Sequence, residues 1–250
     1  MKIPRSSVLG TVSVVVVLVV LVTSGCAAWR IKQTVELARQ SEPFQASPTD
    51  ASASLLVVGD STAVGTGASS PLESVAGRIA RDHPHLKIVN RAADGARYAD
   101  IARQIEGAAG QHFDAIVVLG GGNDVIRLTP YAPLEENIAR VAALARTQAA
   151  LVVLMPSGNV GSAPFFFPPW SWLMTQRSRA LHRMVREVAA DNGALYVNLF
   201  KEKENDPFAQ RPDELNAKDG LHPNDAGYRL WYAELDKQAD LARRLASLKR

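Results

Sequence analysis

Five short apolar runs alternate with amphipathic segments along the chain from residue 54 onward. We predict strands at these runs, which are Leu55–Val58, Leu86–Asn90, Ala115–Leu119, Leu151–Met155 and Ala194–Leu199. Helical patterns separate them, at Leu72–Arg81, Tyr98–Ala108, Leu134–Ala149, Thr175–Asp191 and from Asp225 to about Leu248. Short runs rich in Val and Ile are typical of strands buried on both faces of a sheet. Because strands alternate with helices, the sequence predicts one α/β domain over residues 54–250, with a parallel, doubly wound sheet and right-handed crossovers.

Residues 1–26 have the pattern of a membrane or export segment. Lys2 and Arg5 precede a run from Val8 to Val22 that is almost entirely Val and Leu, and no charge occurs between Arg5 and Arg30. A hydrophobic helix of roughly 20 residues is long enough to span a bilayer as an anchor. A basic start followed by an apolar core and small residues also fits a cleaved export signal. Both interpretations stay open.

The residues Thr23-Ser24-Gly25-Cys26 are similar to a bacterial lipobox, in which the cysteine is lipidated after cleavage. Leu or Val is usual where Thr23 stands. Since positive charge stays on the cytoplasmic side, we expect the domain of residues 54–250 outside the cytoplasm, anchored to the inner or outer bacterial membrane. Residues 27–53 are predicted to be a linker, with a short helix allowed up to Gln40 and a spacer rich in Ser, Ala and Thr from Ser41 to Ser54.

Composition excludes several classes of protein. The formal charge is only +3 and no basic stripe is interleaved with aromatic residues, so we expect no nucleic-acid partner. Cys26 is the single cysteine, which rules out an internal disulfide and a cysteine-based metal cluster. No pair of histidines has metal-ligand spacing together with carboxylates, and the phosphate-loop and Gly-x-Ser-x-Gly patterns are missing. We therefore predict no metal and no cofactor.

One stretch breaks the alternation of strands and helices. Residues 157–173 contain Pro164-Phe165-Phe166-Phe167-Pro168-Pro169-Trp170 and then Trp172. Three prolines argue against a regular helix, and so much aromatic surface must be buried or must meet something apolar. The stretch is a loop folded over the domain's own core, the wall of an acyl-chain pocket, or a second contact with the membrane surface.

The residues that can carry chemistry follow the predicted strands. Gly59-Asp60-Ser61 comes directly after the first strand, so Ser61 is placed at the carboxyl edge of the sheet, where ligands bind in parallel α/β folds. A serine hydroxyl needs an imidazole to take its proton, and the imidazole needs a carboxylate that fixes its tautomer. Asp219-Gly220-Leu221-His222 offers both near the other end of the chain. This pattern predicts nucleophilic catalysis by Ser61, with His222 as base and Asp219 as its partner.

Two further segments can supply hydrogen-bond donors for a developing oxyanion. Asn90-Arg91-Ala92-Ala93-Asp94-Gly95 follows the second strand, and Gly120-Gly121-Gly122-Asn123-Asp124 follows the third. The Asn123 side-chain amide, the Gly95 N–H and the Ser61 N–H are suitable donors.

These four blocks, in this order, resemble the SGNH hydrolase superfamily, also called GDSL-type esterases, over about Leu55 to Tyr232. The resemblance implies that Ser61 is the nucleophile, His222 the base and Asp219 the third member of a triad. It implies that Gly95 and Asn123 complete the oxyanion hole. The family fold is a three-layer α/β/α sandwich of the flavodoxin-like type, here with five parallel strands.

The second block departs from the usual family pattern Asn-x-Gly-x-Ser-Gly, because Ala92 and Asp94 stand in place of the first Gly and the Ser. Family activities include esterases, lipases, thioesterases and carbohydrate O-acetylesterases. We expect a serine hydrolase that cleaves carboxylic esters of a small molecule, a lipid or a glycan. The alternatives are an O-acetylesterase acting on envelope polysaccharide and a catalytically idle glycan- or lipid-binding module.

Overall fold

The computed structural model describes Gly25 and residues 28–248 of the chain. Its centre is a parallel sheet of five strands in the order β2-β1-β3-β4-β5. The strands are β1 (Ala53–Gly59), β2 (Leu86–Asn90), β3 (Phe113–Gly120), β4 (Ala149–Pro156) and β5 (Leu195–Tyr196). This confirms the predicted three-layer α/β/α fold. The predicted hydrophobic helix within residues 1–26, and Cys26, lie outside the described residues.

Helices cover both faces of the sheet. They are α1 (28–40), α2 (Ser61–Val64), α3 (Val75–Asp82), α4 (Tyr98–Glu106), α5 (Gly122–Ile126), α6 (Tyr131–Gln148), α7 (Trp170–Asp191), α8 (Pro207–Gln210), α9 (Pro212–Leu215), α10 (Asp225–Ala239) and α11 (Leu241–Leu248). Short 3₁₀ turns lie at Pro71–Glu73, Val160–Ser162 and Lys203–Asn205. Among the described residues, no helix is long and apolar enough to cross a membrane.

Alternate residues of each strand enter two separate cores, as expected for a sheet buried on both faces. In β1, Leu56 and Val58 pack with residues of α4, α6 and α7, whereas Leu55 and Val57 pack with residues of α3, α10 and α11. The strand order reverses beside β1, since β2 lies on one side of it and β3 on the other. In doubly wound sheets, ligands bind at the carboxyl ends of the strands on either side of such a reversal.

Several elements differ from the predicted bounds, and the largest differences are at β5, the last helix and α7. β5 covers only Leu195–Tyr196: the Val197 N–H still bonds the Leu154 carbonyl of β4 at 3.0 Å, after which the Asn198 N–H bonds the Gln238 side chain at 2.8 Å. The last helix is broken into α10 and α11 at Asp240, which has the left-handed φ of 47°. α7 begins at Trp170, directly after Pro169, so the irregular stretch is shorter than predicted. Proline is tolerated at a helix start because its missing N–H is not needed there.

The segment predicted as a linker makes specific contacts with the domain. Residues 28–40 are helical, as the sequence allows. Further on, the Gln45 side chain donates to the Asn90 carbonyl at 2.7 Å and accepts from its N–H at 2.9 Å. Ala46 forms an antiparallel bridge with Ile88. The chain therefore runs along the free edge of β2 before it enters β1.

Candidate active site

The turn after β1 requires glycine at position 59. Gly59 has a φ of 154°, and a Cβ there would lie 1.8 Å from the Leu119 carbonyl oxygen of β3. The Gln104 side chain of α4 also accepts from the Gly59 N–H at 2.8 Å and donates to the Gly59 carbonyl at 2.9 Å. The end of the strand is thus held from two sides, and this fixes where the next residues begin.

Asp60 anchors the short helix that carries Ser61. Its carboxylate accepts from the Thr62 N–H at 2.9 Å and from the Thr62 hydroxyl at 2.7 Å, which caps the N-terminus of α2. Burial raises the pKa of Asp60, against the lowering effect of these hydrogen bonds. Ser61 is the first residue of α2 and is buried at the carboxyl edge of the sheet, as the sequence predicts.

The structure brings Ser61, His222 and Asp219 into one hydrogen-bonded chain. His222 Nε2 lies 2.8 Å from Ser61 Oγ, and His222 Nδ1 lies 2.6 Å from Asp219 Oδ2. The other carboxylate oxygen, Oδ1, accepts from the backbone N–H groups of Leu221 at 3.0 Å and His222 at 3.1 Å. The side chains of Ser61, His222 and Asp219 are all buried.

The surroundings of Asp219 favour its charged form. Burial raises the pKa of this carboxyl, but the hydrogen bond and charge of His222, together with the backbone N–H groups, outweigh burial and leave the pKa below its usual value. An ionised Asp219 that accepts from Nδ1 leaves Nε2 of His222 free to accept a proton. The arrangement is therefore able to activate the Ser61 hydroxyl for attack on a carbonyl carbon.

Three potential oxyanion donors lie around the same cavity. Ser61, Gly95 and Asn123 all line it. Within the described part of the chain, no hydrogen-bond acceptor is found for the N–H of Ser61, the N–H of Gly95 or the side-chain amide of Asn123. Gly95 has a left-handed φ of 75°, and a Cβ there would lie 3.2 Å from the Arg127 guanidinium. These donors are thus available to a bound ligand.

The cavity has a volume of about 370 Å³ and a largely apolar lining. Its apolar residues come from many parts of the chain: Val35, Ala38, Ile126, Val160, Ala163, Leu199, Phe208, Leu221, Pro223 and Trp231. Cavities of this size and character are typical of sites for small ligands.

Sequence reasoning missed one contributor to the site, which is α1. Thr34, Val35 and Ala38 line the cavity, and Thr34 Oγ1 lies 3.1 Å from Asp219 Oδ2. The sequence allowed a helix here but carried no motif that would place it against the site. The spacing of Thr34 and Ala38 on one helical face was the only available signal.

The acidic residues in the second and third blocks support the loops. Asp94, which stands where the family often has Ser, accepts from the Thr66 hydroxyl at 2.6 Å. Asp124 accepts from the Tyr98 N–H at 2.9 Å, and burial raises the pKa of Asp124. Within residues 28–248, no group of three or more His, Cys, Asp or Glu side chains is placed to hold a metal ion.

The family follows from comparison with known proteins. Residues 57–230, more than half of the chain, match the GDSL-like lipase/acylhydrolase family. The chain belongs to this family, and the resemblance found in its sequence blocks is confirmed.

Individual relatives are distant. A GDSL-like esterase of Mycobacterium tuberculosis is 26% identical over 186 residues, which cover 70% of this chain and 58% of that protein. The chain thus spans less than two thirds of the length of this curated relative. The crystal structure of TesA is 23% identical with a TM-score of 0.58, covering 74% of this chain and 97% of TesA. A catalytic mutant of an acetylxylan esterase from Geobacillus stearothermophilus is 19% identical with a TM-score of 0.56, covering 75% and 94% of the two chains. At these identities the two structures show a shared fold.

Proposed function

We propose that this protein is a serine esterase that cleaves carboxylic esters through an acyl-enzyme. The observation that carries the proposal is the continuous hydrogen-bonded chain from Ser61 Oγ through His222 to Asp219, with distances of 2.8 and 2.6 Å. These hydrogen-bonded side chains lie beside a largely apolar cavity, which the N–H groups of Ser61 and Gly95 and the side-chain amide of Asn123 also line.

In the first half of the reaction, Ser61 Oγ attacks the ester carbonyl carbon and its proton moves to His222 Nε2. The carbonyl electron pair moves to oxygen, and the resulting oxyanion accepts hydrogen bonds from the Ser61 and Gly95 N–H groups and the Asn123 amide. The tetrahedral intermediate collapses, the carbon–alkoxy bond breaks, and His222 gives its proton to the leaving alcohol.

In the second half, water attacks the acyl group on Ser61 while His222 takes a proton from that water. Collapse breaks the bond to Ser61 Oγ, releases the carboxylic acid and returns the proton to Ser61. Asp219 keeps the imidazole in the required tautomer and stabilises the imidazolium that forms in both halves.

The largely apolar lining of the cavity supports an ester with an apolar group beside the reacting carbon. Deacetylation of an envelope polysaccharide is the second candidate, because one fold relative is an acetylxylan esterase. An idle glycan- or lipid-binding module is the third, and the intact Ser61–His222–Asp219 chain argues against it.

Hydrolysis of p-nitrophenyl esters from acetyl to long acyl chains by the full-length protein tests this proposal. We expect turnover that is lost in Ser61→Ala and kept in Ser47→Ala, which changes an exposed serine of residues 41–52. An optimum at acetyl would favour the polysaccharide candidate, and one at longer chains the apolar ester. Equal turnover by Ser61→Ala would overturn the serine mechanism.

We further propose that residues 1–26 attach the protein to a membrane and that the domain lies outside the cytoplasm. The apolar run from Val8 to Val22 and the basic residues before it support this proposal. An exposed aromatic surface, defined as Trp29, Phe167, Trp170 and Trp172, supports it as well, since each of these side chains exposes more than half of its area. Tryptophan rings, which are apolar with one polar N–H, are favoured at the level of lipid headgroups. The intact mass of the mature protein distinguishes a lipidated Cys26 from a retained apolar helix.

A further inference from the structure

The helix α1 precedes the family segment 57–230 yet contacts the loop that holds Asp219. The Arg30 guanidinium donates to the Pro164 carbonyl. With the Gln33 amide oriented to satisfy both of its neighbours, its nitrogen donates to the Lys218 carbonyl at 2.6 Å and its oxygen accepts from Trp29 Nε1 at 2.9 Å. These contacts fix α1 against the segments before and beside the Asp219 loop.

One of the α1 side chains reaches the proposed catalytic carboxylate itself. The Thr34 hydroxyl lies 3.1 Å from Asp219 Oδ2, the same oxygen that lies 2.6 Å from His222 Nδ1. The hydroxyl also lies 3.1 Å from the Arg30 carbonyl, so its single hydrogen is shared between two acceptors. When it is donated to Asp219, it stabilises the charged carboxylate and restrains the oxygen that orients His222.

Two neighbouring residues of α1 form part of the cavity wall. Val35 and Ala38 line the cavity together with Ser61 and His222. Val35 exposes 44% of its surface, which places it at the rim of the cavity. An ester that enters with its carbonyl beside Ser61 meets this wall.

We propose that α1 completes the active site, with Thr34 as a positioning residue for Asp219 and with Val35 and Ala38 as determinants of which ester group is accepted. This inference rests on the proposed serine esterase function. Since α1 follows the apolar run of residues 1–26 in the sequence, part of the cavity wall is close in sequence to the proposed membrane segment.

The first test compares Thr34→Val with Thr34→Ser in the full-length protein. Valine keeps the shape of threonine but removes the donor, whereas serine keeps the donor. We expect Thr34→Val to lower kcat about tenfold with KM unchanged, and Thr34→Ser to stay within about twofold of wild type. Lys32→Val is the matched control, because it places the same side chain on the exposed face of α1. Tm values of the variants are measured alongside.

The second test narrows the cavity with Val35→Trp and uses Lys32→Trp as its control. We expect the ratio of kcat/KM for an octanoyl ester to that for an acetyl ester to fall about tenfold in Val35→Trp and to stay constant in the control. Each half of the inference has its own contradiction. If Thr34→Val has the same kcat as Lys32→Val, Thr34 is not a positioning residue. If the octanoyl-to-acetyl ratio of kcat/KM is unchanged in Val35→Trp, Val35 does not select the ester group.

Ser61→Ala in the same assays separates this inference from the function on which it rests. If Ser61→Ala is inactive while the Thr34 and Val35 variants match their controls, α1 is only a packing element and the esterase proposal stands. If no Ser61-dependent turnover occurs, the proposed function itself fails.

Discussion

Ser61 and His222 are 161 positions apart in the chain, and their reacting atoms Oγ and Nε2 are 2.8 Å apart. Ser61 is held at the end of β1, and His222 lies just before α10, in a loop whose backbone bonds to Asp219. The parallel sheet therefore provides the common edge at which the two distant segments meet.

Asp219→Asn should reduce kcat about 10³- to 10⁴-fold. An asparagine can keep the contacts to the N–H groups of Leu221 and His222 through its oxygen, but it then turns an NH₂ group toward His222 Nδ1. This reverses the tautomer and puts the proton on Nε2, where it blocks acceptance from Ser61. Steady-state kinetics on a p-nitrophenyl ester would measure the effect, with Asp213→Asn as a control on an exposed carboxylate. A loss of less than tenfold would exclude Asp219 from the proposed role.

Much of this site could be predicted because its residues directly follow buried strands. Ser61 and Asn123 could be placed at one sheet edge from the pattern alone, since parallel strands end at the same edge. The contact between Thr34 and Asp219 could not be predicted, because it depends on how a helix packs on a distant loop. The hydrogen bond between the Asn198 N–H and the Gln238 side chain, 40 positions away, depends similarly on tertiary packing.

Asn123→Ala should lower kcat about 10²- to 10³-fold with a small effect on KM, because an oxyanion donor acts mainly in the transition state. Asn205→Ala serves as the control, since Asn205 is exposed, belongs to the short turn Lys203–Asn205 and is not among the residues that line the cavity. A near-normal kcat in Asn123→Ala would remove this amide from the mechanism.

Gly59→Ala should prevent accumulation of the folded protein. A Cβ would lie 1.8 Å from the Leu119 carbonyl oxygen, and the φ of 154° is unfavourable for any other residue. Gly110→Ala is the matched control, because Gly110 also has a positive φ, of 82°, but nothing lies within 4 Å of a Cβ there. We expect this control to fold and to lose about 1 kcal/mol in chemical denaturation. A Gly59→Ala protein with the stability of Gly110→Ala would contradict the close approach of β1 and β3.

His182 should make the free energy of unfolding depend on pH. Its Nε2 lies 2.8 Å from the Ser157 carbonyl and its Nδ1 lies 2.7 Å from the Tyr196 hydroxyl. Burial lowers the pKa of His182 from 6.5 to about 4. Above pH 6.5 the His182 imidazole is neutral in both the folded and the unfolded protein. Between pH 6.5 and 4 the unfolded chain binds a proton that the folded protein does not, so stability falls as the pH falls, by up to about 3 kcal/mol.

Chemical denaturation of wild type and His182→Gln between pH 7.5 and 4 measures this contribution. The difference in unfolding free energy between the two proteins should shrink over the predicted window. His112→Gln, which changes an exposed histidine, should keep the wild-type slope. Parallel curves for wild type and His182→Gln would contradict the buried, neutral state of His182.

The aromatic surface should contact lipid in the full-length protein. We expect brominated phosphatidylcholine to quench most of the tryptophan fluorescence, because Trp29, Trp170 and Trp172 are exposed and Trp231 is buried. Replacing the first three by Phe leaves only the Trp231 emission, which should be insensitive to the brominated lipid. Equal quenching of wild type and this triple variant would show that the surface does not meet the bilayer.

The most direct test of the account is reaction of the full-length protein with an alkyl fluorophosphonate, followed by intact mass and peptide mapping. Such a reagent forms a stable adduct with a serine that is activated by a neighbouring base. The proposed serine mechanism predicts one adduct per chain on Ser61, loss of ester hydrolysis in step with labelling, and no adduct in Ser61→Ala. An adduct on another residue, or an unmodified Ser61 in a protein that still hydrolyses esters, would contradict it.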